Sequence, residues 1–121
     1  MNISNYYKIL REFNVDIQDN ILNLNGVTIP FTEETARKLF NYMTEFSIST
    51  SAKNLLVMYY GLGDEDSKTL GEVSEIVGIS DEGVRQNLRA AIRKAAHYLN
   101  KQRSYSRIIQ EVNGSDGSIK V

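Results

Sequence analysis

Between Thr69 and Leu99 two runs of helical apolar periodicity meet at a single glycine, and this arrangement restricts the fold more tightly than any other part of the chain. Leu70, Val73, Ile76 and Val77 recur at the spacing of one helix face. Thr69 precedes them as a cap, Gly78 follows them, and Ser80 heads a longer run. Glycine suits the joint because it reaches positive φ without a Cβ clash. A short helix, a tight turn and a longer capped helix predict a helix-turn-helix.

The second helix sorts its residues sharply. Advancing about 100° per residue from Val84, Leu88, Ala91, Ile92, Ala95, Tyr98 and Leu99 gather in one stripe. Glu82, Arg85, Gln86, Arg89, Arg93 and His97 fall on the other side. Charge is segregated along the chain as well. From Gly83 to Gln110 there are seven basic residues (Arg85, Arg89, Arg93, Lys94, Lys101, Arg103, Arg107) and no acid. From Asn54 to Glu82 the balance reverses, with Lys68 against seven acids. A solvated amphipathic face explains part of this pattern. The pattern also suits a polyanion, because arginine and glutamine make bidentate contacts with base edges while further Arg and Lys neutralise phosphate. Acids at the head of the helix are welcomed by its dipole.

The rest of the chain frames this unit. Its 121 residues fit one domain, or one small domain with an appendage. With a formal net charge of −1, any contact with nucleic acid must depend on where the cations sit, not on bulk charge. Three parts are expected: 1–46, 47–100 and 101–121. In the first, Tyr6, Ile9, Leu10 and Phe13 predict a short helix. Residues 15–31 then alternate apolar and polar, with turn formers at Asp19-Asn20 and Asn25-Gly26, the signature of a short β-hairpin. Thr32 caps a helix whose apolar face is Ala36, Leu39, Phe40, Met43 and Phe46. A Ser/Thr stretch at 47–52 supplies the cap of the next helix, which Gly61 ends. The last part is a basic extension and tail, read as either frayed or a small hairpin pairing Ile108–Val112 with Ile119–Val121. The fold class expected is therefore mainly α, a helix-turn-helix with a small N-terminal α+β appendage.

Several function classes recede. The sequence has no cysteine, which excludes disulfides and thiolate metal sites and fits a cytoplasmic protein. The N-terminal MNISNYYKILREF lacks the marks of a signal peptide, and no run approaches the roughly 20 apolar residues of a membrane helix. His97 is the sole histidine and stands on an arginine-rich face. Asp64, Asp66 and Glu75 have the first, third and last spacing of a calcium loop, but Lys68 and Thr69 occupy places that need an oxygen ligand and a glycine. No enzyme activity, metal or cofactor is expected.

A resemblance then becomes specific. LLVMYYGLGDEDSKTLGEVSEIVGISDEGVRQNLRAAIRKA resembles region 4 of the sigma-70 family, the part of bacterial initiation factors that recognises the −35 promoter element. Leu56, Gly61 and Leu62 match its first block, and Thr69, Leu70, Glu72 and Val73 its second. Gly78, Ile79, Ser80, Glu82, Val84, Arg85, Gln86, Ala91, Ile92, Arg93 and Lys94 match the third without a gap. The resemblance covers residues 50–98. It implies that Thr69 and Arg85 face the DNA backbone and that Glu82 and Gln86 read base edges. Ser80, Arg89, Arg93 and Lys94 complete the expected DNA-binding set. Asp81 and Gly83 stand where the family usually has arginine.

The resemblance also implies docking on the RNA polymerase β-flap through an apolar cup, for which Leu55, Leu56, Met58, Tyr59 and Tyr60 are the candidates. No counterpart of the promoter-melting region is visible. The function expected is a DNA-binding transcription regulator or a stand-alone sigma-like factor, of phage or mobile-element type, that contacts promoter DNA, RNA polymerase or both. The alternative is a protein-interaction module that binds polymerase or a sigma factor on the same scaffold, or forms a homodimer through Leu39, Phe40, Met43 and Phe46.

Overall fold

A computed structural model of the chain describes residues 3–63, 66–101 and 106–112. Asp64, Arg103 and the Ile119–Val121 half of the expected tail hairpin lie outside the described residues. Six helices and three strands are described, in the order α1 (Ile3–Glu12), β1 (Asp16–Gln18), β2 (Ile21–Leu24), β3 (Val27–Pro30), α2 (Glu33–Glu45), α3 (Thr50–Tyr60), α4 (Leu70–Val77), α5 (Asp81–Asn100) and α6 (Ser106–Val112). The fold is mainly helical with a small N-terminal sheet, as the residue patterns predict.

The sheet is an antiparallel meander of three strands, one more than a simple hairpin. Two-residue turns join them, and Asp19, Asn20, Asn25 and Gly26 all have positive φ. That is the geometry of the primed turns whose twist suits adjacent strands, and Asn and Gly tolerate it best. The register places Ile17 opposite Leu22 and Leu22 opposite Ile29, so one face carries a ladder of buried aliphatics. Slipping by one residue would turn that ladder to water.

Side-chain caps fix the helix starts. Thr32 and Thr35 form a capping box at α2. Ser49 accepts from the Ala52 amide at α3, and Ser80 accepts from the Gly83 amide at α5, each at 3.1 Å. At α4 the Thr69 hydroxyl accepts from the Glu72 amide at 3.1 Å, and the Glu72 carboxylate accepts from the Thr69 amide at 2.9 Å. These bonds satisfy first-turn donors that have no partner within the helix. Gly61 closes α3 in the left-handed region, where a Cβ would come within 2.5 Å of the Ser67 backbone nitrogen. No other residue fits there without moving the loop.

One hydrophobic cluster joins residues from every element. Phe40 of α2 lies near its centre, stacked on Phe13 with ring centroids 6.0 Å apart and meeting Tyr6 edge-on. Leu39, Phe40 and Met43 are thus spent on the protein's own interior, and of the four residues expected as a homodimer face only Phe46 remains outward, at 72% exposure. The expected pairing of Ile108–Val112 with the end of the chain is replaced by α6. Ile108 and Val112, four residues apart, are both buried, and α6 packs on α2. Among the described residues no helix is long and apolar enough to cross a membrane.

Candidate nucleic-acid interface

The α4–α5 unit is built around two small joints. Gly78 takes a φ of 78°, and its amide donates to the Ser74 carbonyl at 2.8 Å. The Ser74 hydroxyl donates to the Ile79 carbonyl, tying the turn to the helix before it. Val73 and Val84 are both fully buried and anchor the two helices to the core.

The inward side of α5 is Val84, Leu88, Ala91, Ala95, Ala96 and Leu99, all buried. Ile92 and Tyr98 sit at the edges of that stripe, half-buried, and Tyr98 meets Tyr42 of α2. The outward side is open. Glu82, Arg85, Gln86, Arg89, Arg93, Lys94 and His97 are exposed, and the N-terminal half of the chain leaves them uncovered. At about 100° per residue, Arg85, Arg89, Glu82, Arg93 and Gln86 span an arc of about 100°. Lys94 lies about 80° beyond it and lines a cleft between α3 and α5 with Ser49, Ala52 and Asn87. Eight residues at about 1.5 Å each separate Arg85 from Arg93, so the cationic strip is about 12 Å long.

Glu82 organises the near end of this strip. Its carboxylate pairs with the Arg85 guanidinium one turn on, and its other oxygen accepts from Gln86 Nε2 at 3.3 Å. Such exposed pairs add little stability but hold the two heads side by side. Arg89 and Arg93 have no ion-pair partner among the described residues. Asp81 has a local role. A Cβ built on Gly71 would lie 3.9 Å from its Oδ2, so the carboxylate sits close to the first turn of α4 while also heading α5. Two helix N-termini, each with a positive dipole end, converge on this acid.

Thr69 and Ser80 are exposed caps, one at each helix start. The two halves of the expected polymerase cup divide differently. Leu55 and Leu56 are buried in the core, whereas Met58, Tyr59 and Tyr60 are half-buried. Helix α1 packs on this helix, with Asn5 Nδ2 donating to the Gly61 carbonyl at 3.0 Å. Burial, reinforced by the Glu12 carboxylate and by Tyr59, pushes the Tyr60 hydroxyl up to about 12, so it stays a neutral donor.

Residues 47–95 match the family model of sigma-70, region 4. No curated protein and no solved structure matches the chain. The region 4 segment takes in α3, α4 and most of α5, and it coincides with the resemblance carried by the Thr69–Val73 and Gly78–Lys94 blocks. The match supports a helix-turn-helix with a DNA-binding, transcription-related role.

Two features escape the linear pattern. Ile76, Val77 and Ile79 are exposed at 57%, 38% and 39%, although the spacing of Ile76 and Val77 predicts a buried face with Val73. Helix α4 packs against α3 and α5, with Val73 buried and Ile76 and Val77 left exposed. Lys8 and Arg11, in the charge-balanced N-terminal part, line one groove with Thr69. A separation of some sixty residues hides that proximity from any local pattern.

Proposed function

We propose that the chain is a DNA-binding transcription regulator that lays the outward arc of α5 in the major groove of duplex DNA. One observation carries this reading: Arg85, Gln86, Arg89 and Arg93 are all exposed on one continuous side of a helix whose opposite side is buried. A helix of this kind fits the major groove, where arginine and glutamine distinguish guanine and adenine by paired hydrogen bonds. Glu82 holds Arg85 and Gln86 together before any ligand arrives, which lowers the ordering cost on binding. In this reading Thr69, Ser80 and Lys94 flank the arc and meet phosphate. Within the family resemblance, the protein acts in the cytoplasm as a stand-alone sigma-like factor at promoters.

The test is a gel shift of the full chain on a duplex of randomised sequence at several salt concentrations. Replacing Arg85, Arg89 and Arg93 together by alanine removes up to three phosphate or base contacts. The affinity should fall on the order of a hundredfold at 0.1 M salt, and the salt slope by roughly three. Asp81→Arg should raise affinity, because a cation replaces a carboxylate at the head of the helix. Absence of salt-dependent binding by both the natural chain and the Asp81→Arg variant would defeat the reading.

A second reading, a protein-interaction module that binds RNA polymerase or a sigma factor, is favoured by the exposed Ile76, Val77 and Ile79. Apolar side chains grouped at one end of a helix often mark a contact with another protein. Docking through Leu55 and Leu56 would require the elements packed on α3 to move, since both leucines are already buried. Retention of the protein on polymerase in nuclease-treated extract supports this second reading. Retention only in the presence of DNA removes it.

A further inference from the structure

An open groove of about 950 Å3 runs between α1 and the corner where α3 passes into α4. Its lining includes Tyr7, Lys8, Arg11 and Glu12 from α1, with Lys68 and Thr69 from the start of α4. Lys8 and Arg11 thus bring two cations to a groove in which α1 places one carboxylate, Glu12, on a chain whose formal net charge is −1.

Arg11 is held in a way that leaves donors available. Its Nη1 donates to the Tyr7 hydroxyl and to the Ile17 carbonyl, each at 3.4 Å, and its guanidinium lies 5.7 Å from the Tyr7 ring centroid. Both bonds come from one nitrogen, so Nη2 and Nε have no protein partner among the described residues. Lys8 stands one turn before it on the same helix and is exposed, with no ion pair among the described residues. An arginine anchored at one end and a nearby lysine suit successive phosphates of a single strand, since each strand carries one charge per ~3.4 Å of duplex axis.

We infer that Lys8 and Arg11 of α1 form a second phosphate-binding edge, which grips the backbone of the duplex beside Thr69 and extends the footprint of α5 by one flank. This rests on the proposed DNA-binding role of α5. The occupant is fixed by charge complementarity and by continuity: Thr69 belongs both to this groove and to the helix-turn-helix surface. Lys8 and Arg11 lie outside the segment that matches region 4, so the edge is a property of this chain's own N-terminal half. It supplies affinity without sequence preference, because phosphate contacts position a protein and carry no base information.

The test measures dissociation constants of the full chain on a randomised 30-base-pair duplex, across a salt series, for Lys8→Ala, Lys8→Ala/Arg11→Ala and the Arg85/Arg89/Arg93 alanine variant. The double variant should bind at least about tenfold more weakly at 0.1 M salt, with a slope shallower by about two. Lys8→Ala alone should account for about one unit of slope, and it keeps the test valid if loss of the Arg11–Ile17 bond disturbs the sheet. Unchanged affinity and slope in both Lys8 variants, with binding lost in the α5 variant, overturns the second edge and leaves the α5 reading standing. No binding by the natural chain defeats both. Tighter binding to a single-stranded 30-mer than to the duplex, lost on Lys8→Ala, makes the groove a single-strand site and overturns the inference.

Discussion

The N-terminal helices and the helix-turn-helix are both amphipathic, yet they use their faces differently. In α1 and α2 nearly every apolar position in the pattern is buried: Tyr6, Ile9 and Leu10 in one, Ala36, Leu39, Phe40 and Met43 in the other. In α4 only Val73 is buried, while Ile76 and Val77 face outward. Helix α5 divides cleanly, with its aliphatic side inward and its arginines in water. Periodicity says which side of a helix is apolar. Whether a neighbour arrives to cover that side depends on the other elements, and α4 has too few of them.

The largest effect that would test this contrast is in the shared core. Phe40→Ala removes the ring between Phe13 and Tyr6, and should cost about 3–5 kcal/mol in chemical denaturation. Because one cluster links all the elements, the amides of α5 should lose hydrogen-exchange protection together with those of α2. An α5 that stays protected while α2 opens would break the comparison, and would support separate units at 1–46 and 47–100.

A smaller effect is expected at the start of α4. Thr69→Ala deletes one half of the capping box and should destabilise by ~1 kcal/mol, read as a lower denaturation midpoint. Thr69→Ser should restore most of that loss, since the hydroxyl does the capping. If serine restored stability but not DNA affinity, the threonine methyl would have a role at the groove beyond capping.

The smallest effect sharpens the contrast within one helix. Ile76→Ser replaces a side chain that is 57% exposed and should change stability by less than ~0.5 kcal/mol. Val73→Ala, three residues earlier and fully buried, should cost roughly 2 kcal/mol from lost methyls and the space they leave. Equal costs at the two positions would mean that α4 is covered on both sides in solution. A large loss at Ile76 together with a new tendency to dissociate from a partner would point to the protein-interaction reading.

Much of the fold was legible in the chain because its local signals are strong. Caps at Thr32, Ser49, Thr69 and Ser80, left-handed stops at Gly61 and Gly78, and turn formers at Asp19-Asn20 and Asn25-Gly26 all act within a few residues. The expected stripe of α5 missed only Ala96, which lies about 120° around the helix from Val84, on the side of the arginines, and is nevertheless buried near the helix end. The tail was harder to read. Ile108 and Val112 fit a helix and a strand edge about equally by spacing, and packing against α2 selected the helix. The face expected for a homodimer reads differently for a related reason: the pattern of Leu39, Phe40 and Met43 marks residues that need cover, and α2 packs against the protein's own α1, α5 and α6.

By itself the sequence determined the element types, their ends and the sign of charge on each helix side, because those follow from bonds and spacings within a few residues. Tertiary structure decided which apolar faces find cover, and it brought Lys8 and Arg11 into the lining of one groove with Thr69. These depend on contacts between segments distant in the chain, where the free energy of burying a shared core, not any local preference, fixes the geometry.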